Sequence, residues 1–326
     1  MRRREFIAAL GGAAAWPLMA RAQQAGRMRR VGVLVSAGGA LPQERLDAFS
    51  KEMQNLGWIE GSNVHFDIRI GDNTPPRQRS LAAQLVAQKP DVVLAVGSQS
   101  IEILQRLAPT LAIVFVTVVD PVGSGFVESL AEPGGMTTGF AAFEYSLSVK
   151  WIELLKQIAP AVKQVAVLRD PKNPSGIGQF AAIQTGAPGL GIDLRTIDIR
   201  EPATIEHGLN AFGQSAAGRG LIVTSAGSGA VSDLILTLVA RHRMPAVYPF
   251  RQFVARGGLI SYGPDLVEHH RQAAGYVDRI LRGEKPANLP VQAPTRYQLV
   301  INARTAKTLG LEIPPMVLAR ADEVIE

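Results

Sequence analysis

The sequence predicts an α/β fold made of two doubly wound, Rossmann-like lobes. Three observations support this prediction. Short runs rich in Val and Ile alternate with amphipathic helical patterns, and the alternation restarts after a Gly-rich connection. Both halves also contain the same order of an apolar strand, a loop of small polar residues, a helix and a second apolar strand.

The first half of the chain contains four apolar runs, which predict parallel strands covered on both faces. These runs are residues 31–35, 64–70, 92–96 and 112–116. Helical periodicity fills the intervals, at residues 43–56, 77–88 and 101–107. Right-handed crossovers between parallel strands then produce a doubly wound sheet.

A Gly-rich connection at residues 133–143 separates this half from the second one. The second half is predicted to contain strands at residues 165–168, 193–199, 221–224, 246–248, 259–262 and 297–301. Its predicted helices are residues 147–158, 177–185, 204–214, 231–242, 266–281 and 304–309. A Pro-rich link covers residues 283–294.

The internal repeat predicts where a ligand would bind. Residues 97–100 (Gly-Ser-Gln-Ser) follow one strand, and residues 225–229 (Ser-Ala-Gly-Ser-Gly) follow the corresponding strand of the second half. Open α/β sheets bind ligands at the carboxyl ends of their strands, where backbone N–H groups and helix N-termini favour carboxylates. The alternative is that these Gly and Ser residues only turn the chain from strand to helix.

The candidate binding residues lie at these strand ends. In the first lobe they are Ser36, Ala37, Gly38, Ser98, Gln99, Ser100, Thr117 and Asp120, and in the second lobe Asp170, Asn173, Ser225, Ser228 and Tyr248. The two aspartates precede prolines and could receive an ammonium or hydroxyl group, or could simply begin helices. Tyr248 could line the cleft or pack inside its lobe.

Residues 1–22 have the layout of an export signal. Adjacent arginines precede an apolar stretch, residues 6–20, and a small-x-small cleavage site, which resembles a twin-arginine signal. The stretch is shorter than a membrane span and is interrupted by Gly11, Gly12 and Pro17. We therefore expect the mature chain to begin at Gln23 and to be periplasmic, free in solution and not membrane-embedded.

Composition excludes several function classes. The formal charge is +6, of which the signal contributes three, and no basic stripe follows it, so we expect no nucleic-acid partner. The sequence contains no cysteine, which excludes disulfides and thiolate chemistry. Phosphate loops, dinucleotide fingerprints, nucleophile elbows and His-Glu-x-x-His are absent, so we expect no cofactor and no catalysis. The five histidines, His269 and His270 included, are interpreted as solvated or capping residues.

Several segments resemble the substrate-binding proteins of ABC importers, in the subfamily related to tryptophan and tyrosine binders. The matching segments are residues 120–123, 129–135, 257–265, 274, 276–278, 280–281, 283–291, 299–302, 305–307, 309–314 and 318–326. One departure concerns residues 97–100, because members of the group commonly resemble Gly-Thr-Pro-Ala there. Gln99 stands in place of the proline, which leaves the preference for aromatic amino acids open.

The resemblance implies the type I periplasmic-binding-protein fold, with a three-segment hinge between the lobes. It implies residues 29–142 with 264–292 as the first lobe, and residues 143–263 with 293–326 as the second. The implied function is capture of a small amino-acid-like or carboxylate ligand by hinge closure, with an inner-membrane ABC permease as partner. A ligand-binding partner of a membrane sensor and an exported α/β enzyme remain as alternatives.

Overall fold

The computed structural model describes residues 27–36, 43–71, 74–214, 218–225, 231–294 and 296–326. The predicted export signal and the candidate residues Ala37, Gly38 and Ser228 lie outside these ranges. The described chain forms two sheets with helices packed on them, which confirms the predicted α/β fold. None of its helices is both long and apolar enough to cross a bilayer.

The first sheet contains five parallel strands. Its elements along the chain are β1 (Arg29–Val35), α1 (Gln43–Asn55), β2 (Val64–Ile70), α2 (Pro75–Ala87), β3 (Val92–Val96), α3 (Ser98–Leu107), β4 (Ile113–Val119) and β5 (Thr137–Phe143). The strand order is β2-β1-β3-β4-β5. All five residues of β3 are buried, as expected for a parallel strand covered on both faces.

The second sheet contains seven strands. Its elements, together with the helix that returns to the first lobe, are α4 (Val149–Ile158), β6 (Gln164–Arg169), α5 (Pro174–Gly186), β7 (Asp193–Asp198), α6 (Pro202–Gly213), β8 (Arg219–Val223), α7 (Ser232–Arg241), β9 (Ala246–Tyr248), α8 (Arg251–Ala255), β10 (Ile260–Pro264), α9 (Leu266–Leu281), β11 (Tyr297–Asn302), α10 (Ala303–Leu309), α11 (Pro315–Leu318) and β12 (Glu323–Ile325). The order is β12-β11-β10-β9-β8-β6-β7. The pair β10–β11 is antiparallel, unlike the other pairs of this sheet.

The two sheets repeat one topology, which confirms the predicted repeat. The order β7-β6-β8-β9-β10 reproduces β2-β1-β3-β4-β5, so β3 and β8 occupy equivalent positions. In both sheets the strand order reverses beside these strands, between β1 and β3 and between β6 and β8. Such switch points form the crevice in which open α/β sheets hold ligands.

Three crossovers join the lobes, as the three-segment hinge requires. The chain leaves the first sheet after β5, leaves the second sheet between β10 and α9, and returns to it before β11. Helix α9 packs on the first sheet, since its Ala273, Ala274 and Val277 belong to the same hydrophobic cluster as β1 and β3. The sheets extend to Phe143 and Pro264, one residue beyond the predicted lobe limits.

The structure corrects the predicted connection at residues 133–143, because this segment contains β5. Its glycines conceal the strand in the sequence. At Gly139 a Cβ would lie 2.2 Å from the carbonyl oxygen of Phe115, so the strand can approach β4 only with glycine at this position.

Two further differences bear on the site. Helix α3 begins at Ser98, three residues before its predicted start, which places Ser98, Gln99 and Ser100 in its first turn. Strand β4 continues to Val119 through an irregular register between Phe115 and Val118. Predicted loop residues therefore belong to regular elements at the edge of the first sheet.

Candidate functional site

The candidate site lies between the lobes, where the carboxyl ends of the strands face each other. Contacts across this cleft are direct. The hydroxyl oxygens of Ser98, in the first turn of α3, and Ser175, in the first turn of α5, are 3.4 Å apart. The N-termini of two helices thus converge at this point, and their positive ends favour a negatively charged group.

Two of the candidate serines join the elements that form the first-lobe side of the candidate site. The Ser36 hydroxyl donates to the Val96 carbonyl oxygen at 2.9 Å. The Ser100 hydroxyl donates to the same carbonyl at 3.1 Å and accepts from Gln78 Nε2 at 3.0 Å. Both serines are buried. They therefore join the carboxyl ends of β1 and β3 and are already engaged with protein partners.

Gln99 and Thr117 present buried polar atoms of a different kind. Gln99 Oε1 and Thr117 Oγ1 are shielded from solvent, and neither has a hydrogen-bond partner in the described part of the chain. Thr117 also has a φ of +61°, a conformation that a β-branched residue rarely adopts. Backbone strain of this kind concentrates at functional sites.

Asp120 follows β4 and shapes the next turn. Its φ is +40°, and its carboxylate accepts a hydrogen bond from the Gly123 N–H at 2.8 Å. A Cβ at Gly123 would lie 2.4 Å from that carboxylate, so glycine lets the turn close over it. Asp120 is partly exposed and retains capacity to accept from a ligand.

On the second-lobe side, Asp170 and Asn173 organise the loop after β6. The Asp170 carboxylate accepts from the Lys172 N–H at 2.8 Å and lies 3.8 Å from the Arg200 guanidinium. Asn173 caps α5 by accepting from the Ser175 N–H at 3.0 Å. Asn173 therefore acts as the N-cap of α5, a role that the sequence interpretation did not assign to it.

Ser225 is tied to a residue that the sequence did not single out. Its N–H and hydroxyl both donate to Gln179 Oε1, each at 3.0 Å. Gln179 is fully buried on α5, and its Nε2 has no partner among the described residues. Arg169 also has a buried polar atom, Nε, that has no hydrogen-bond partner among the described residues. Its guanidinium lies over the Phe180 ring.

Of the two alternatives for Tyr248, lining the cleft or packing inside its lobe, the structure shows packing inside the lobe. Its ring is fully buried in the core of the second lobe, stacked on Phe253 with centroids 5.0 Å apart. Burial raises the pKa of its phenol above the usual value. The short strand β9 turns this side chain inward, so the packing alternative is correct.

A second cross-lobe contact involves Arg45 of α1, whose guanidinium donates to Gln252 Oε1 of α8. Arg45 is 7% exposed, and burial lowers its pKa to about 10. The neighbouring α9 carries His269 and His270, which are buried, so their predicted solvated or capping role is wrong. Burial lowers the pKa of His269 to about 4 and that of His270 to about 3.

Sequence reasoning missed Arg45, Gln179 and Gln252. Arg45 carries a signal, since it precedes Phe49 by one helical turn on the apolar stripe of α1 and places a cation in the first turn, against the helix dipole. Gln179 has no comparable signal, because glutamine is common on exposed helix faces. Its burial depends on the second sheet packing against α5.

Two cavities lie at the hinge and not at the switch points. One, about 340 Å³, is lined by Asp120, Phe143, Tyr145, Pro294 and neighbouring residues. The other, about 270 Å³, is lined by residues of α9, β11 and the third crossover. Within the described residues, no group of three or more His, Asp or Glu side chains could hold a metal ion.

Comparison with known proteins places this architecture in one family. The family described as "ABC transporter substrate binding protein" matches residues 30–325. A curated relative, the tyrosine-binding protein of Clostridioides difficile (strain R20291), is 23% identical over 273 residues, covering 81% of this chain and 76% of that protein.

Two solved structures share the fold. An ABC domain in complex with L-Trp from Streptococcus pneumonia superposes with a TM-score of 0.82 at 22% identity, over 91% of this chain and all of that one. A conserved domain protein from Vibrio cholerae also gives a TM-score of 0.82, at 27% identity, over 92% of this chain and 99% of that one.

Proposed function

Because the chain belongs to the family of ABC transporter substrate-binding proteins, we propose that it works in the periplasm and delivers its ligand to an ABC permease in the inner membrane. The proposed ligand is a small amino acid or a related carboxylate, held between the lobes. The proposed moving bodies are residues 29–142 with 264–292, and residues 143–263 with 293–326.

The observation that carries this proposal is the set of buried polar atoms at the two switch points. Gln99 Oε1 and Thr117 Oγ1 belong to the first lobe, and Arg169 Nε and Gln179 Nε2 to the second. A buried polar atom without a partner costs about 1–3 kcal/mol, so such atoms are normally satisfied. A polar ligand that bridges the lobes would supply partners on both sides.

The proposed ligand class follows from charge and from the relatives. The N-termini of α3 and α5 converge where Ser98 meets Ser175, which suits a carboxylate. Asp120 and Asp170 lie at the carboxyl ends of β4 and β6 and suit an ammonium group. The names of two relatives refer to tyrosine and to L-Trp, both of which carry these two groups.

The proposed motion is hinge closure, which is established for periplasmic binding proteins as a class. A ligand shifts the equilibrium only by its greater affinity for the closed form. The contacts Ser98–Ser175 and Arg45–Gln252 join the lobes in the arrangement described here, and opening would break both. Ligand contacts to both lobes would therefore favour closure.

The test is ligand binding to the chain beginning at Gln23, unfolded and refolded to remove any carried-over ligand. The panel contains aromatic and branched amino acids, other amino acids, small carboxylates, polyamines and sugars. A ligand at 100 times its Kd should stabilise the protein by about 2.7 kcal/mol, a shift of several degrees in Tm.

Gln99→Leu and Gln179→Leu keep similar side-chain volume but remove the amides, and should weaken binding by about tenfold or more. The matched control is Gln84→Leu on the exposed face of α2, which should bind as the wild type does. If both cleft variants keep affinity within twofold, the site lies elsewhere. If no class of compound binds the folded protein, the proposed ligand class is wrong.

A further inference from the structure

Arg45 is a buried cation in an unfavourable position. It lies in the first turn of α1, where the helix dipole disfavours positive charge, and it is 7% exposed. Its Nε has no hydrogen-bond partner, and its guanidinium forms no ion pair with any residue in the described ranges. Charged groups this deeply buried are almost always paired.

Among the described residues, no carboxylate forms a direct ion pair with Arg45. Its contact across the cleft is the neutral amide oxygen of Gln252. Glu44 and Asp265 act on it only through their charge, and the carboxylate of Asp265 already accepts the N–H groups of Val267 and Glu268.

The histidines of α9 near Arg45 cannot balance its positive charge, because a histidine side chain is either neutral or positive. His270 feels the positive charge of Arg45, which helps to keep its pKa low, and His269 lies beside it on the same helix. Both remain neutral near pH 7. Arg45 is charged at this pH because its pKa is about 10, and the acceptor that faces it is neutral.

The second lobe takes part in this burial through Gln252. Arg45 follows the loop after β1, at the switch point of the first sheet, and Gln252 lies on α8 directly after β9 of the second sheet. When the lobes part, the contact breaks and water can solvate the guanidinium. Closure therefore brings a neutral amide of the second lobe, and no opposite charge, against the guanidinium as it leaves water, which is costly.

We propose that Arg45 binds a negatively charged group of the captured ligand, and that Gln252 occupies the place of an anionic oxygen in the ligand-free closed arrangement. The inference rests on the proposed function and extends it, because it names the residue that selects ligands by charge. The ligand would then supply the charge that closure needs, and uncharged analogues would close the lobes poorly.

The first experiment measures binding of two pairs of probes, L-tyrosine with L-tyrosinamide and L-tryptophan with L-tryptophanamide, by calorimetry. The members of each pair differ in the carboxylate. Wild type should prefer the acid by about 10- to 100-fold, as expected for a charge-assisted pair. Arg45→Gln should lose this preference, and Arg45→Lys should keep part of it. The control Arg79→Gln, on the exposed face of α2, should keep all of it.

The second experiment needs no ligand. X-ray scattering of the refolded, ligand-free proteins compares the radius of gyration of wild type with that of Arg45→Gln. Burial of a neutral amide is cheaper than burial of a guanidinium, so the variant should be more closed and have the smaller radius. If Arg45 were instead a latch that holds the lobes together, the variant would be more open.

The outcomes separate the two proposals. Suppose that wild type binds the acids and that Arg45→Gln still prefers the acids over the amides. This result would overturn the proposed role of Arg45 and leave the proposed function intact. If wild type binds none of the four probes, the proposed aromatic ligands fail and scattering decides for Arg45. A smaller radius in the variant then supports the inference, and an equal or larger one overturns it.

Discussion

The hydroxyl oxygens of Ser98 and Ser175 lie 3.4 Å apart although the two residues begin helices of different lobes. Both side chains are at least nine-tenths buried. The pair therefore reports lobe closure directly, and it gives access to the proposed hinge motion without knowledge of the ligand.

A cross-lobe disulfide should trap the closed form. The sequence has no cysteine, so Ser98→Cys with Ser175→Cys introduces the only two thiols. The 3.4 Å between the hydroxyl oxygens brings the two side chains close enough for us to expect a disulfide. On oxidation, we expect a smaller radius of gyration by X-ray scattering and slower ligand association, both reversed by a reductant.

The control for this experiment pairs Ser98→Cys with Ser80→Cys on the exposed face of α2, a pair that should not crosslink within one molecule. A double variant at Ser98 and Ser175 that stays reduced under mild oxidation would show that the lobes do not reach this arrangement in solution.

We predict that Thr117 lowers the stability of the protein through its backbone conformation and contributes to ligand binding through its hydroxyl. A β-branched residue at φ +61° costs about 1–2 kcal/mol, which glycine avoids. Thr117→Gly should therefore raise the free energy of unfolding by up to about 1 kcal/mol, measured in urea without ligand. Affinity for the cognate ligand should fall about tenfold, because the buried hydroxyl is lost.

Thr308→Gly, on the exposed α10, serves as the matched control and should leave affinity unchanged. A lower stability of ligand-free Thr117→Gly would show that the conformation is not strained. Unchanged affinity would remove Thr117 from the site.

The core beneath the hinge depends on Trp151. This side chain is fully buried, donates from Nε1 to the Tyr262 carbonyl oxygen at 2.8 Å, and packs edge-on against Phe143. Trp151→Phe removes the donor and leaves a cavity, so unfolding in urea should become easier by about 2–4 kcal/mol. Trp58→Phe loses an equivalent bond to Asp278 at a half-buried site and should cost less. Equal costs would contradict this account.

The buried histidines of α9 predict a loss of stability in mild acid. The pKa is about 4 for His269 and about 3 for His270 in the folded protein, below the unfolded value of 6.5. Between these values the unfolded chain binds more protons, so stability is present above pH 6.5 and falls as the pH is lowered. Each histidine contributes up to about 1.4 kcal/mol per pH unit.

Unfolding free energies measured from pH 7 to pH 5 test this slope. The double variant His269→Gln with His270→Gln should flatten it, and the exposed His65→Gln should not change it. The range avoids pH values below 4, where carboxylates such as Asp198 and Glu323, whose pKa values are lowered by arginine partners, would also protonate. An unchanged slope in the double variant would show that the histidines are solvated.

Local patterns in the sequence determined the two-lobed α/β architecture. The predicted strands 64–70, 92–96 and 246–248 and the helix 266–281 agree with the structure residue by residue. Such agreement is possible because the period of apolar residues is a local property of the chain. The repeat at residues 97–100 and 225–229 likewise identified β3 and β8 as equivalent strands, and they occupy equivalent positions in the two sheets.

Only the tertiary structure decided which polar atoms lie in the cleft and which of them lack partners. Strand β5 escaped prediction because Gly139 is required by its contact with Phe115, a residue distant in sequence. Arg45 and Gln179 resemble ordinary surface residues of helices until tertiary packing buries them, and Tyr248 could have faced either way until β9 turned it inward. Burial and pairing depend on contacts between distant segments, which no local periodicity encodes.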